Sequence, residues 1–174
     1  MGLDGVGGVK VKRGESPGEV DVIIVDAYYG VPSQTLVDAV QMDLQPVSEG
    51  GQPTIETSGI GHAPIWHIVT VSPVVAVSVS VSAVLTIETG ADSQSVIEAA
   101  NTVINTYVGE IAATWQNASS LTVYRMEIGS RILDIAGVID MNDIAINGES
   151  ANLVVSDDKT VAPGSNTITT TEAT

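Results

Sequence analysis

Val74-Val-Ala-Val-Ser-Val-Ser-Val-Ser-Ala-Val-Leu-Thr-Ile-Glu88 decides how the rest of the chain is read. Every second residue from Val75 gives Val75, Val77, Val79, Val81, Ala83, Leu85 and Ile87. The interleaved set is Val74, Ala76, Ser78, Ser80, Ser82, Val84, Thr86 and Glu88. Side chains alternate across a strand, so one face is wholly apolar and the other mostly small and polar. β-branched residues suit such a half-buried pleated surface. The alternation predicts one long strand with its apolar face on a core. Its serine face is left to meet water or the flat side of a neighbouring subunit. Nothing on it carries chemistry.

Downstream, Gly90 ends this strand and Asp92 is placed to cap a long helix. The apolar positions Val96, Ile97, Ala100, Val103, Ile104, Tyr107, Val108 and Ile111 recur at helical spacing and match the strand's apolar face. A short strand is expected at 121–124 and a brief helix at 127–134 with Ile128, Ile132 and Leu133 inward. Residues 138–146 read as a strand. Asn147-Gly148 then signals a two-residue type I′ hairpin from which 152–155 return. Asp157-Asp158-Lys159 and Pro163-Gly164 mark turns, residues 166–171 offer a last strand, and the terminal residues are expected to fray.

Upstream, residues 63–71 form a strand that Ser72-Pro73 turns into the Val/Ser strand as an antiparallel partner. Residues 46–63, with Pro46, Gly50, Gly51, Pro53 and Ser58-Gly-Ile-Gly-His62, cluster Gly and Pro without a period and suggest a domain boundary. Before them, Ser33 caps a helix with Leu36, Val37, Val40 and Leu44 inward, and Pro46 stops it. A loop at 26–30 bearing Tyr28 and Tyr29 joins that helix to a strand, Val20-Asp-Val-Ile-Ile-Val25. The Gly-rich start is read as flexible, entering a short basic strand, Val9-Lys-Val-Lys-Arg13. The fold class is therefore α+β: a small strand-helix unit, then a mainly antiparallel sheet with a long helix packed on one face.

Composition narrows the function. The chain has 174 residues and 44% hydrophobic residues but no Phe, so Val, Ile, Leu and Ala must build the core. Its net charge of −15 supplies no basic footprint for nucleic acid and disfavours anionic membranes. The absence of Cys excludes disulfides, thiolate metal sites and cysteine nucleophiles. Met1-Gly-Leu-Asp-Gly5 has neither the basic nor the apolar region of a signal peptide, and serines keep the Val-rich stretch from reading as a membrane span.

Candidate chemistry is sparse. His62 and His67, five apart, would point to opposite faces of an extended segment, and nothing local marks a third metal ligand. Glu127, Asp134, Asp140 and Asp143 could pair as glycosidase carboxylates, yet chance proximity explains them in a chain with 21 acids. Asp157-Asp158 lacks the EF-hand pattern, and neither a phosphate loop nor a Gly-x-Ser-x-Gly elbow is present. Trp66 and Trp115 are read as core or interface anchors. The residues point to no enzyme, no metal and no cofactor.

The ordered segments resemble the C-terminal half of baseplate J-like proteins, wedge components of contractile-tailed phages and prophages. The resemblance runs from about Val6 to Thr169. It rests on Gly18-Glu-Val-Asp-Val-Ile-Ile-Val25 and on the helix entered at Pro32-Ser33. It continues through Gly61-His-Ala-Pro-Ile-Trp-His-Ile-Val-Thr-Val71, where the family shows a Gly-x-Ala-Pro-Ile-Gly-like turn and this chain places Trp66 at the last glycine. The Val/Ser strand, the Asp92 helix, Ile128 to Asp134, Ala136-Gly-Val138 and Asn147-Gly148 complete it.

The resemblance implies residues 1–60 in the family's middle domain and 61–174 in its C-terminal α+β domain. The family's larger N-terminal part is expected to lie outside this chain, making it a fragment or a shortened homologue. It also implies a structural role in the tail baseplate of a virion assembled in the bacterial cytoplasm, through packing against other tail proteins and copies of itself. No nucleic acid, membrane or small-molecule substrate is expected. Tyr28, Tyr29 and Trp66 are the candidate interface anchors. The alternative is a receptor- or carbohydrate-binding module on a virion or cell surface, which requires an exposed aromatic cluster beside polar side chains.

Overall fold

The computed structural model describes residues 4–173; of the Gly-rich start expected to be flexible before Val9, residues 6–8 already belong to the first strand, and the first three residues lie outside the described ones. The chain forms two compact units, Met1–Val75 and Ala76–Thr174. Both are α+β.

In the first unit, β1 (Val6–Arg13) pairs antiparallel with β2 (Glu19–Asp26), and β2 pairs in parallel with β3 (Ile68–Pro73). Helix α1 (Gln34–Leu44) begins at Ser33, whose hydroxyl accepts from the Leu36 N–H, as the sequence led one to expect. Val22, Ile24, Val37, Val40, Ala63, Val69 and Val71 form the core, with Val6, Val9, Val20, Leu36 and Leu44 packed around it. The helix thus covers one sheet face with its apolar stripe.

The strand expected at 63–71 begins only at Ile68, and its partner is β2, not the Val/Ser stretch. β3 therefore belongs to the first unit, and the loop expected to separate domains lies inside that unit. Two glutamines explain the difference. Gln41 Oε1 accepts from the Val71 N–H at 2.8 Å, and its Nε2 donates to the Val69 and Gln45 carbonyls at 3.0 and 2.7 Å. Gln45 Oε1 accepts from the Val69 N–H at 2.8 Å, and its Nε2 donates to the Thr54 carbonyl and the Thr57 hydroxyl. One helical turn apart, the two side chains serve the backbone of β3 as a neighbouring strand would. They also bind the loop, which makes a single 3-10 turn at Ile55–Thr57. Gly61 lies so close to α1 that a Cβ there would stand 2.7 Å from the Asp43 carbonyl oxygen. The loop is packed, and it is not a linker.

In the second unit the expected long strand is two, β4 (Val75–Val79, which begins in the first unit) and β5 (Val81–Ile87). The alternation holds where the core is: Val79, Val81, Ala83, Leu85 and Ile87 are all buried, while Val75 is exposed. β5 lies between β7 (Val138–Ile146, antiparallel) and β10 (Thr167–Glu172, parallel), so this sheet is mixed. β4 pairs with β9 (Lys159–Pro163), and β6 (Ser120–Val123) pairs with β8 (Leu153–Ser156).

The partners change at Ser80, and the Asn147-Gly148 turn makes the joint. Both turn residues have positive φ, and the Ile146 and Glu149 N–H groups each donate to the other's carbonyl, the geometry expected of a tight two-residue turn. The return strand, however, goes to β6. Asn147 is used instead on the Ser80 joint: its Oδ1 accepts from the Ser80 N–H at 2.8 Å and its Nδ2 donates to the Ser78 carbonyl at 3.0 Å. The Val81 N–H donates to Asn166 Oδ1 at 2.9 Å. A Cβ on Gly164 would collide with the Ser78 and Ser80 hydroxyls. Those serines are thus small because a neighbouring loop lies against them.

Helix α2 (Ser93–Ala113) starts at Asp92, which accepts from the Gln94 N–H, and buries Val96, Ala100, Ile104, Tyr107, Val108 and Ala112. Trp115, following it, is fully buried. Helix α3 (Arg125–Leu133) buries Ile128, Gly129 and Ile132, while Leu133, expected inward, is exposed. Nor is the C-terminal stretch loose. The Ala173 N–H donates to the Ile87 carbonyl at 2.8 Å, and the Thr89 hydroxyl donates to the Ala173 carbonyl.

Replacing Gln45 by Leu keeps the volume but orphans the Val69 N–H, while the Thr54 carbonyl keeps its bonds from the Thr57 N–H and hydroxyl. At about 1–3 kcal/mol for a buried group left unsatisfied, the first unit is expected to lose roughly 1–3 kcal/mol. Urea denaturation read by amide exchange at β3 checks this.

Candidate interaction surface

Tyr28 and Tyr29 sit on a loop that Asp26 builds. One carboxylate oxygen of Asp26 accepts from the Tyr28 and Gly30 N–H groups at 2.8 and 2.9 Å, and the Tyr29 N–H donates to the Asp26 carbonyl. This turn holds Tyr29 at φ 61° and projects Tyr28, which is 91% exposed, into solvent; Tyr29 is half-buried.

Trp66 lies elsewhere. Glu19 pairs with Ile68 at the start of β2, whereas the tyrosines follow its end at Asp26. An eight-residue strand at about 3.3 Å per residue separates them by roughly 25 Å. The three aromatics do not form one site.

Around Trp66 the backbone is unusual. Its φ is 69°, the left-handed region that glycine occupies without penalty, and its N–H donates to the Ser58 hydroxyl at 3.0 Å. Ser58 in turn donates to the Ile55 carbonyl at 2.6 Å. A bulky residue at positive φ is an outlier, costing about 1–2 kcal/mol. The side chain is not buried in compensation: Trp66 is 71% exposed and Ile65 66%. Ile55 and Ile60, on the same packed loop, are exposed as well. Ile65 covers Gly59, where a Cβ would meet it at 2.7 Å. Sequence reasoning missed these isoleucines because an aperiodic loop gives no face on which to place them. The signal available was a recurrence of Ile55, Ile60 and Ile65 in a stretch otherwise rich in Gly, Ser and Thr.

The other candidate residues are spent on structure. His62 contacts the Asp43 carbonyl and carboxylate from a turn, and His67 Nδ1 contacts the Ile65 carbonyl, so His67 does not stand on the strand expected there. Glu127 accepts from Arg131 Nε at 3.0 Å, and Arg131 also meets Glu110 at 2.8 Å and lies 4.8 Å from the centre of the Tyr107 ring. Asp134 closes α3, and Asp140 accepts from the Met141 N–H. Among the described residues no group of three or more acidic or histidine side chains could hold a metal, and no helix is long and apolar enough to cross a membrane.

Residues 1–73 match the baseplate J-like central domain, and residues 79–169 match the baseplate J-like protein C-terminal domain. The chain belongs to the baseplate J-like family. No curated protein matches it. The two matches flank the division between the compact units after Val75, not the loop at 46–63. Membership in this family gives the chain a structural role in a phage tail baseplate. For a baseplate J-like chain, the surfaces that bear on function are those able to pack against other proteins.

Two outcomes follow. Trp66→Gly removes the left-handed strain, so the variant is expected to be about 1 kcal/mol more stable, measured by chemical denaturation. The second concerns Glu110, whose hydrogen bond to Arg131 holds its carboxyl below the usual range. A depressed folded-state pKa means this contribution is complete above the ordinary carboxylate range and lost as pH falls through the folded value. Glu110→Gln is therefore expected to melt with a weaker dependence on pH than the parent on acidification from pH 6 to 3.

Proposed function

We propose that this baseplate J-like chain is a wedge component of a contractile tail, from a phage or a prophage, and that it works by packing rather than by catalysis. The reading is carried by the two family matches in succession along one chain. It is supported by the candidate groups for chemistry: Glu127, Asp134 and Asp140 each serve a helix or a strand, and the histidines bond to nearby backbone. Its partners would be other tail proteins and further copies of the chain, met during assembly in the bacterial cytoplasm.

In this reading the exposed aromatics are contact anchors, since Trp and Tyr dominate binding energy where they become desolvated. The position of Tyr28, Tyr29 and Trp66 at opposite ends of β2 supports two contacts on the first unit. A sugar-binding module would need an aromatic cluster beside polar groups, and the separation of these side chains gives that alternative no support.

Antibodies raised against this chain, added to tail particles from the producing host, should label the distal end of the tail tube in negative-stain micrographs. Label confined to other cell fractions would overturn the baseplate assignment.

A further inference from the structure

Asn147-Gly148 is the only place in the chain where glycine follows asparagine. In a free peptide this pair is chemically fragile, because glycine has no Cβ to hinder attack by its own backbone nitrogen on the preceding side-chain amide. The Gly148 nitrogen gives its proton to solvent base and bonds to Asn147 Cγ. The Cγ–Nδ2 bond then breaks, and Nδ2 leaves as ammonia. Water opens the cyclic imide at one carbonyl or the other, leaving aspartate or isoaspartate. Nothing is oxidised or reduced, and water is the only co-reactant.

Burial does not protect the site. Asn147 and Gly148 are both exposed, and a Cβ on Gly148 would meet nothing within 4 Å. The restraint comes from the joint at Ser80. The Asn147 N–H donates to the Ser80 carbonyl at 2.8 Å, Oδ1 accepts from the Ser80 N–H at 2.8 Å, and Nδ2 donates to the Ser78 carbonyl at 3.0 Å. The nitrogen that must leave is therefore the donor to Ser78. A tetrahedral Cγ also turns the amide atoms out of the plane in which they meet the two serines.

The product does not fit the joint. A carboxylate at 147 can still accept from the Ser80 N–H, but its other oxygen faces the Ser78 carbonyl with no hydrogen between two acceptors. Isoaspartate adds a carbon to the turn backbone as well. A converted chain thus cannot close the joint as the parent does.

We propose that Asn147 is a deamidation site silenced by the Ser80 joint, so that the amide is kept by folded chains and lost by chains that linger unfolded. This chemistry is independent of the tail role proposed above.

The full chain, held in mildly alkaline buffer with and without denaturing guanidinium chloride, tests it, with amide-to-acid conversion located by peptide fragmentation in a mass spectrometer. Conversion at Asn147 is expected to be at least about 30-fold slower in the folded chain, a factor within reach of three hydrogen bonds of ordinary net strength. Asn166→Ala removes the acceptor of the Val81 N–H beside the same joint. It is expected to speed conversion in native buffer and to leave the denatured rate unchanged. Asn147→Asp, the product itself, is expected to melt below the parent near neutral pH. A protonated carboxyl regains a donor for the Ser78 carbonyl, so its folded pKa lies above the unfolded one and the deficit narrows on acidification. Similar rates in folded and denatured chains, an Asn166→Ala variant that converts no faster than the parent, or an Asn147→Asp deficit that does not change with pH would each overturn the proposal.

Discussion

The backbone of β3 has a strand on one side only, and the side chains of Gln41 and Gln45 stand in for a strand on the other. Most of the first unit follows from this. An amide side chain offers a donor and an acceptor, as a peptide unit does, so a glutamine lying along a strand edge satisfies it without another strand. Two glutamines four residues apart share one helix face and meet alternate residues of β3. The C-terminal turn of α1 is thereby tied to β3, and Gln45 reaches onward to Thr54 and Thr57. The edge is closed to foreign strands, and the loop that bears the exposed isoleucines is held in place.

The second unit solves its edge problem differently. Its Val/Ser stretch supplies strands to two small sheets, and the change of partners at Ser80 leaves backbone groups that neither sheet serves. Asn147 and Asn166 take them up, each from a turn distant in sequence. In both units, then, polar side chains complete backbone pairing at the places where strands run out. Such joints bond in few directions, so each fixes the strand it completes in one register.

What could be read from the sequence was local. Helix starts at Ser33 and Asp92, the inward stripe of α2, the turn at Asn147 and the buried alternation from Val79 to Ile87 all depend on spacing within a few residues. The pairing of strands does not. A period of two tells which residues share a face but not which strand lies alongside, so β3 was expected beside the Val/Ser stretch when it lies beside β2. Gln41 and Gln45 carry no signal either, because a buried amide that meets backbone reads in sequence like a surface one. Gly and Pro in the loop at 46–63 suggested a linker, whereas Gly61 is there for close approach to α1. The aromatics Tyr28 and Trp66 were legible as candidates for exposure, but their separation along β2 and the positive φ of Trp66 needed coordinates.

One feature of the second unit bears on the order in which its sheet is completed. The central strand β5 completes its sheet with β10 in register from Ser82–Thr167 to Ile87–Glu172, a pairing that spans nearly the whole unit. Chains emerge from the ribosome in order, so β5 is exposed long before its parallel neighbour exists, and the Val81 N–H waits for Asn166. Until residues 166–172 have been made, the newborn chain carries a bare valine-rich edge of the kind that invites aggregation. The mixed sheet of the second unit is thus finished only after residues 166–172 have been made.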